Sequence, residues 1–232
     1  MEEKNIKNAR TAITITTVLT FFAAGFELLA ALVGSKAGMN LFDFASYATA
    51  NANSYCFVLI LVNLILFPLV VLLYKQNSIE LKKEIAERKT LGRDILIGLA
   101  ALAATMVVSY AYSFMYNGGR TALAYNENDT SLGTTVFRII ALALVSGFFK
   151  EIYFRGIAKR FAGTVLGETK ALLLFNVMFA MLDWYNIGFS FFAGLIWIWA
   201  YKKSGHLISP MIAHGGANLV GIIYTLVISG VV

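Results

Sequence analysis

The sequence predicts an all-α, polytopic membrane protein, a bundle of about seven transmembrane helices. Hydrophobic residues make up 59% of the 232 residues and charged residues only 14%, with a mean hydropathy of +0.72. Soluble domains carry about 25% charged residues. Apolar runs recur along the chain, and most approach the ~20 residues that a helix needs to cross the hydrocarbon layer. We expect spans at 11–34, 54–74, 95–116, 133–149, 171–182, 187–201 and 207–232, of which the fifth and sixth are short.

Basic residues predict the orientation, because they fall mainly before the first span and in the second, fourth and sixth connections. Cytoplasmic loops carry an excess of Lys and Arg. We therefore expect a cytoplasmic N-terminus and a multi-pass protein of the plasma (cell) membrane, in contact with the lipid bilayer. Trp197 and Trp199, close to Lys202, have the placement of an interfacial aromatic belt. The net charge of +6 is explained by the loops and indicates no nucleic acid partner.

The chain is predicted to form a single membrane domain, residues 1–232, without a long linker or a visible repeat. Two polar segments interrupt the apolar runs. Segment 75–93 carries charges at spacings near three and four, which favours a solvated helical linker on the cytoplasmic side. A partner-binding arm is the alternative for this segment. Segment 117–132 is rich in Asn and Gly and indicates an external loop.

Four ionisable residues lie inside otherwise apolar runs: Lys150, Glu151, Asp183 and His214. A charge at the bilayer centre costs roughly 2.5–3.5 kcal/mol, so such residues usually pair or mark a functional site. Glu151 and Arg155 share one face of a helix, where the guanidinium can neutralise the carboxylate. Lys150 is rotated from Glu151 by about 100° and points elsewhere. A purely structural ion pair is the alternative for Glu151 and Arg155.

The last apolar run contains a second polar pair, His214 and Asn218, one helical turn apart. On one helix face they would present an imidazole and an amide to the same space. Gly215 and Gly216 would let another helix backbone approach closely. Such a pair can donate hydrogen bonds to a developing oxyanion, and a plain interhelical contact is the alternative.

A third block, around Phe179, lies between these two pairs, and Phe154 and Gly156 flank Arg155. In this order, and placed in membrane segments, the blocks resemble the CAAX-protease and bacteriocin-processing family, the CPBP or Abi intramembrane proteases. The resemblance covers residues 132–232 and implies that this part is the motif-bearing core of a protease-like bundle. The residues that match the family's catalytic pattern are Glu151, Arg155, His214 and Asn218, with Phe154, Gly156 and Phe179 beside them.

The chain departs from the family pattern at two positions. Lys150 stands where the family has its first Glu, the residue thought to activate water, and Asp183 stands where it has the assisting His. A protonated Lys is donor-only and cannot accept a proton from water. We expect an ion pair between Lys150 and Asp183 instead. Glu151, Asp183 or a neutral Lys150 would be the base if activity is retained.

The resemblance and these departures favour a non-catalytic pseudoprotease. Its partner would be a peptide or a membrane protein held in the bundle cavity, as in bacteriocin immunity or membrane regulation. The alternative is an active intramembrane endopeptidase that processes a peptide precursor or a prenylated CAAX-type substrate. We expect no cofactor and no metal, because the zinc-binding His-Glu-x-x-His pattern is missing from the sequence.

Overall fold

The computed structural model describes residues 2–36, 52–116, 131–183 and 186–228, and within these ranges the chain is helical without a β-strand. The all-α prediction is therefore confirmed for this part of the chain. The predicted loop at 117–132 and the end of the last predicted span, 229–232, lie almost wholly outside it. The helices are α1 Glu2–Lys36, α2 Ala52–Gln76, α3 Leu81–Ile85, α4 Leu91–Tyr116, α5 Leu132–Leu166, α6 Glu168–Met181, α7 Ile187–Ser204 and α8 Ile208–Ile228.

Among the described residues, three helical segments are long and apolar enough to cross a membrane. They are Leu59–Gln76 in α2, Leu91–Met115 in α4 and Leu132–Leu166, which is α5. These coincide with the second, third and fourth predicted spans. Helix α6 has 14 residues, or about 21 Å at 1.5 Å per residue, against a hydrocarbon layer of about 30 Å. The fifth predicted segment is therefore short in the structure as well.

Side chains are distributed as expected for a protein in lipid. Large apolar side chains are exposed on the outer faces of the helices, whereas the charged residues of the central segments are buried. In water this arrangement would expose a large apolar surface, which soluble monomers rarely do. Examples of the exposed side chains are Phe22, Leu64, Leu96, Val107 and Phe114.

Helix α5 alternates between α-helical and π-helical backbone. At the end of its first π-helical stretch, the N–H of Gly147 donates to the carbonyl of Leu142, five residues earlier. Glu151 ends the α-helical stretch that separates the first two π-helical stretches. Such wide turns are frequent at functional sites, and they change which side chains share a face. The π-helical stretches are Ile139–Ser146, Ile152–Gly156 and Ala158–Ala162.

Helices α5 and α8 pack backbone against backbone through small residues. A Cβ added at Gly147 would lie 2.6 Å from the Cα of Gly215, and one at Gly215 would lie 2.6 Å from the carbonyl oxygen of Ala143. A Cβ at Gly216 would lie 2.8 Å from a methyl carbon of Leu102 in α4. The close approach predicted for Gly215 and Gly216 is therefore present, and it brings the polar residues of α5 and α8 together.

Segment 75–93 is not the continuous solvated helix that its charge spacing predicted. Only Leu81–Ile85 is helical between the end of α2 and the start of α4. Glu84 within it is buried, and its carboxylate accepts hydrogen bonds from Arg160 and Tyr201. These partners lie far away in sequence, so the spacing of neighbouring charges could not reveal that Glu84 faces the bundle.

Several connections meet at one end of the bundle. Asn8 near the start of α1 donates to Asn77 after α2 at 2.7 Å. Arg93 at the start of α4 donates to the carbonyl of Ser204 at the end of α7, also at 2.7 Å. The predicted cytoplasmic connections therefore share one side. The remaining contacts at this end are Glu84 with Arg160, Lys202 with Thr169, and Asp94 with His206.

Candidate active site

Glu151 is the centre of a buried polar cluster between α5 and α8. Its Oε1 lies 3.2 Å from Nη1 of Arg155 and 2.7 Å from Nδ1 of His214. Glu151 and Arg155 are fully buried, and His214 is 4% exposed. A single carboxylate oxygen thus joins the Glu151/Arg155 pair of the sequence to His214 of the last helix. The predicted proximity of Glu151 and Arg155 on one helix face is present.

A residue that the sequence analysis missed, Asn176 of α6, holds the other side of the guanidinium. Nη2 of Arg155 donates to Oδ1 of Asn176 at 3.1 Å and to the carbonyl of Gly194 at 3.3 Å. The Asn176 amide in turn donates to the carbonyl of Phe191 in α7 at 3.0 Å. Gly194 is required here, because a Cβ at this position would collide with Asn176 and lie 2.9 Å from Nη2 of Arg155. Arg155 therefore connects α5, α6 and α7.

Aromatic rings enclose the cluster. Phe179 lies under the guanidinium of Arg155, with 4.5 Å from Cζ to the ring centroid, and its ring meets that of His214 edge-on at 5.6 Å. Trp197 stacks on His214 with centroids 4.2 Å apart. Its indole N–H donates to Thr105 at 3.0 Å, which fixes the ring. Trp197 is 4% exposed and does not belong to an interfacial belt, whereas Trp199 is half exposed.

The cluster is not fully hydrogen-bonded. Oε2 of Glu151 and Nε of Arg155 are buried and have no partner among the described residues. Buried polar atoms normally have partners, so such exceptions call for an explanation such as a missing ligand or water. Lys150 is 4% exposed, and within the described part of the chain it forms no ion pair; its ammonium lies 5.9 Å from the centroid of Phe179.

The ion pair expected between Lys150 and Asp183 is not formed in the structure. Asp183 lies in the turn after α6, and its Oδ2 accepts a hydrogen bond from the hydroxyl of Ser190 at 3.0 Å. Asp183 makes no ion pair with any residue that the structure describes. The position of an acidic residue in a sequence motif does not fix the direction of its side chain at the end of a short helix, so the sequence did not indicate the contact with Ser190.

Asn218 contributes to helix packing. Its amide donates to the carbonyl of Leu142 in α5 at 2.8 Å. The same carbonyl accepts the wide-turn hydrogen bond from Gly147. The interhelical contact considered as an alternative for His214 and Asn218 is thus present for Asn218, while His214 contacts Glu151.

The chemistry available to this site is that of a carboxylate and an imidazole in direct contact, beside two cations. A carboxylate with a neighbouring imidazole can accept and return a proton. Within the described ranges, no three His, Cys, Asp or Glu side chains come together as a metal site would require.

Comparisons with known proteins agree with the motif pattern. Residues 132–220 match the family model described as type II CAAX prenyl endopeptidase Rce1-like. No curated protein and no solved structure matches the chain. The matched segment contains Glu151, Arg155, His214 and Asn218 together with Lys150. The match supports the resemblance read from the sequence: residues 132–220 of this membrane chain are similar to the CAAX-protease-like CPBP family.

Proposed function

We propose that this CAAX-protease-like membrane protein binds a peptide or a membrane-protein partner without cleaving it. The observation that carries the proposal is Lys150, which replaces the family's water-activating Glu and is buried in the site. A protonated Lys offers no lone pair to water. The partner would bind beside Phe179, within the core formed by residues 132–232.

Two further contacts support this proposal. One oxygen of Glu151 is shared between Arg155 and His214, so it is already engaged by two partners. Asp183 is hydrogen-bonded to Ser190 and is not paired with Lys150. The two substituted positions therefore do not rebuild a base and its helper.

One observation favours the alternative, an active intramembrane endopeptidase. Oε2 of Glu151 has no partner, and the Oε1 of the same carboxylate lies 2.7 Å from His214. A water placed at Oε2 could lose a proton to this pair. Glu151 would then replace the family's first Glu in cleaving a prenylated CAAX-type substrate or a peptide precursor.

Cleavage of a quenched, prenylated CAAX-type peptide by the purified protein in nanodiscs distinguishes the two functions. We expect no cleavage by the natural chain and measurable cleavage by the Lys150→Glu, Asp183→His double variant. Cleavage by the natural chain that disappears in Glu151→Gln would establish the endopeptidase. Binding of the same peptide without cleavage would support the pseudoprotease.

We further propose seven spans, a cytoplasmic N-terminus and residence in the plasma membrane. The meeting of α1 with the second, fourth and sixth connections at one end of the bundle supports this topology, and the basic residues at that end support the orientation. Reporter fusions after Lys89 and Lys203 should both report the cytoplasmic side. An external signal from either fusion would overturn the topology.

A further inference from the structure

Lys150 is a buried cation for which the described part of the chain supplies no counter-ion. It is 4% exposed, it lies in a membrane-spanning helix, and among the described residues it has neither an ion-pair partner nor a hydrogen bond. An ammonium removed from water without a partner is strongly unfavourable. The centroid of the Phe179 ring lies 5.9 Å from the ammonium, and such a ring only partly replaces water.

The charges around Lys150 do not cancel it. The carboxylate of Glu151 is already engaged by Arg155 and His214. With His214 neutral, Lys150, Glu151 and Arg155 together carry one net positive charge. A bound monoanion would bring the site to neutrality, whereas a dianion such as phosphate would leave one net negative charge.

We propose that Lys150 is the receptor for a carboxylate, namely the C-terminal carboxylate of the bound peptide, held beside the Phe179 ring. This inference rests on the proposed peptide binding. It also fixes the orientation of the bound peptide, because the C-terminal end must lie at Lys150. An ammonium has three donors and forms short, charge-assisted hydrogen bonds to carboxylate oxygens. The apolar ring of Phe179, which also contacts Arg155 and His214, keeps the pair away from water.

The substitution that disables the expected base thus supplies a binding group. A Glu at position 150 would repel a carboxylate, and a Lys attracts it. Charge reversal at one position therefore explains both the missing base and the unpaired cation without a Lys150–Asp183 pair.

The first test compares two prenylated CAAX-type peptides that differ only in their C-terminus, a free carboxylate or a carboxamide. Binding to the protein in nanodiscs is measured by fluorescence anisotropy. We expect the carboxylate to bind about 10- to 100-fold more tightly, as for a hydrogen-bonded charge pair. In Lys150→Met the two peptides should bind equally, while the exposed control Lys89→Met keeps the natural ratio. Equal binding of both peptides to the natural chain would overturn the inference.

The second test separates this inference from the proposed function. The unfolding midpoint is measured with hexanoate, hexanamide or inorganic phosphate, for the natural chain and Lys150→Met. If hexanoate alone stabilises the protein and Lys150→Met abolishes this effect, the carboxylate site is supported. This holds even if neither peptide binds, an outcome that would reject only the proposed peptide binding. If hexanoate and hexanamide give the same unfolding midpoint, as they would with a neutral Lys150, the carboxylate site is rejected. Equal stabilisation by phosphate and hexanoate also rejects it.

Discussion

Two groups of buried charges in this bundle are built differently. The central cluster consists of Lys150, Glu151, Arg155, Phe179 and His214. Among the residues that the structure describes, one oxygen of Glu151, one nitrogen of Arg155 and the ammonium of Lys150 have no hydrogen-bond or ion-pair partner. The end cluster consists of Glu84, Asp94, Arg160, Tyr201 and His206, and both of its carboxylates are paired through both oxygens.

In the end cluster, each oxygen of both carboxylates has at least one partner. Glu84 accepts from Arg160 on one oxygen and from Tyr201 on the other. Asp94 accepts two hydrogen bonds from Arg93 on one oxygen, and its other oxygen contacts Thr90 and His206. Satisfied networks rigidify a structure, whereas unpaired buried groups are retained at functional sites. The end cluster therefore holds the connections together, and the central cluster is the candidate functional site.

Removing the Arg155 guanidinium should cause the largest loss in the free energy of unfolding. In Arg155→Met the Glu151 carboxylate keeps His214 but loses its permanent countercharge, and we expect a loss of about 3–5 kcal/mol in the free energy of unfolding. The only cysteine of the chain, Cys56, is buried, so its labelling by a thiol dye during denaturant titration reports unfolding. Arg10→Met, at an exposed position, is the matched control. A loss below about 1 kcal/mol would mean that the Arg155–Glu151 pair contributes no more to stability than an exposed ion pair does.

Glu84→Gln tests whether the end cluster stabilises the fold by linking the connections between helices. The amide retains the shape of the carboxylate but loses the charge-assisted hydrogen bonds to Arg160 and Tyr201, and we expect a loss of about 1.5–3 kcal/mol. Peptide binding should remain unchanged, because the residue is not in the central cluster. Glu87→Gln, at an exposed position, should change nothing. Weakened peptide binding in Glu84→Gln at full stability would refute the division between the two clusters.

The sequence predicted the helical class, the membrane character and the pairing of Glu151 with Arg155, because these depend on local hydropathy and on helix periodicity. It did not predict the contacts of Asn176, Glu84 or Asp183. Those contacts depend on where distant helices place their side chains, and for Asp183 on a turn at the end of a short helix. The π-helical stretches of α5 also change which residues share a face, and no simple sequence period records them.

Gly215→Ala tests whether the central cluster depends on backbone contact between α5 and α8. The new methyl carbon would lie 2.6 Å from the carbonyl oxygen of Ala143, so the helices must separate or shift. We expect a loss of about 1–2 kcal/mol and weaker peptide binding, since Glu151 and His214 lie on opposite sides of this contact. At Gly133 a Cβ would meet nothing within 4 Å, so Gly133→Ala should preserve both properties. Unchanged binding in Gly215→Ala would show that the cluster tolerates separation.

The smallest expected effect is the coupling between Lys150 and Asp183. Because the structure has no ion pair between them, the effects of Lys150→Met and Asp183→Asn on the free energy of unfolding should add, with a coupling energy below about 0.5 kcal/mol. Lys150→Met alone should be neutral or stabilising without ligand, since it removes an unpaired buried charge. A double-mutant cycle read through Cys56 labelling measures both quantities. A coupling energy above about 1 kcal/mol would show that Lys150 and Asp183 do form an ion pair. Lys150 would then be a paired structural residue like Glu84, and it would not be available to bind a carboxylate.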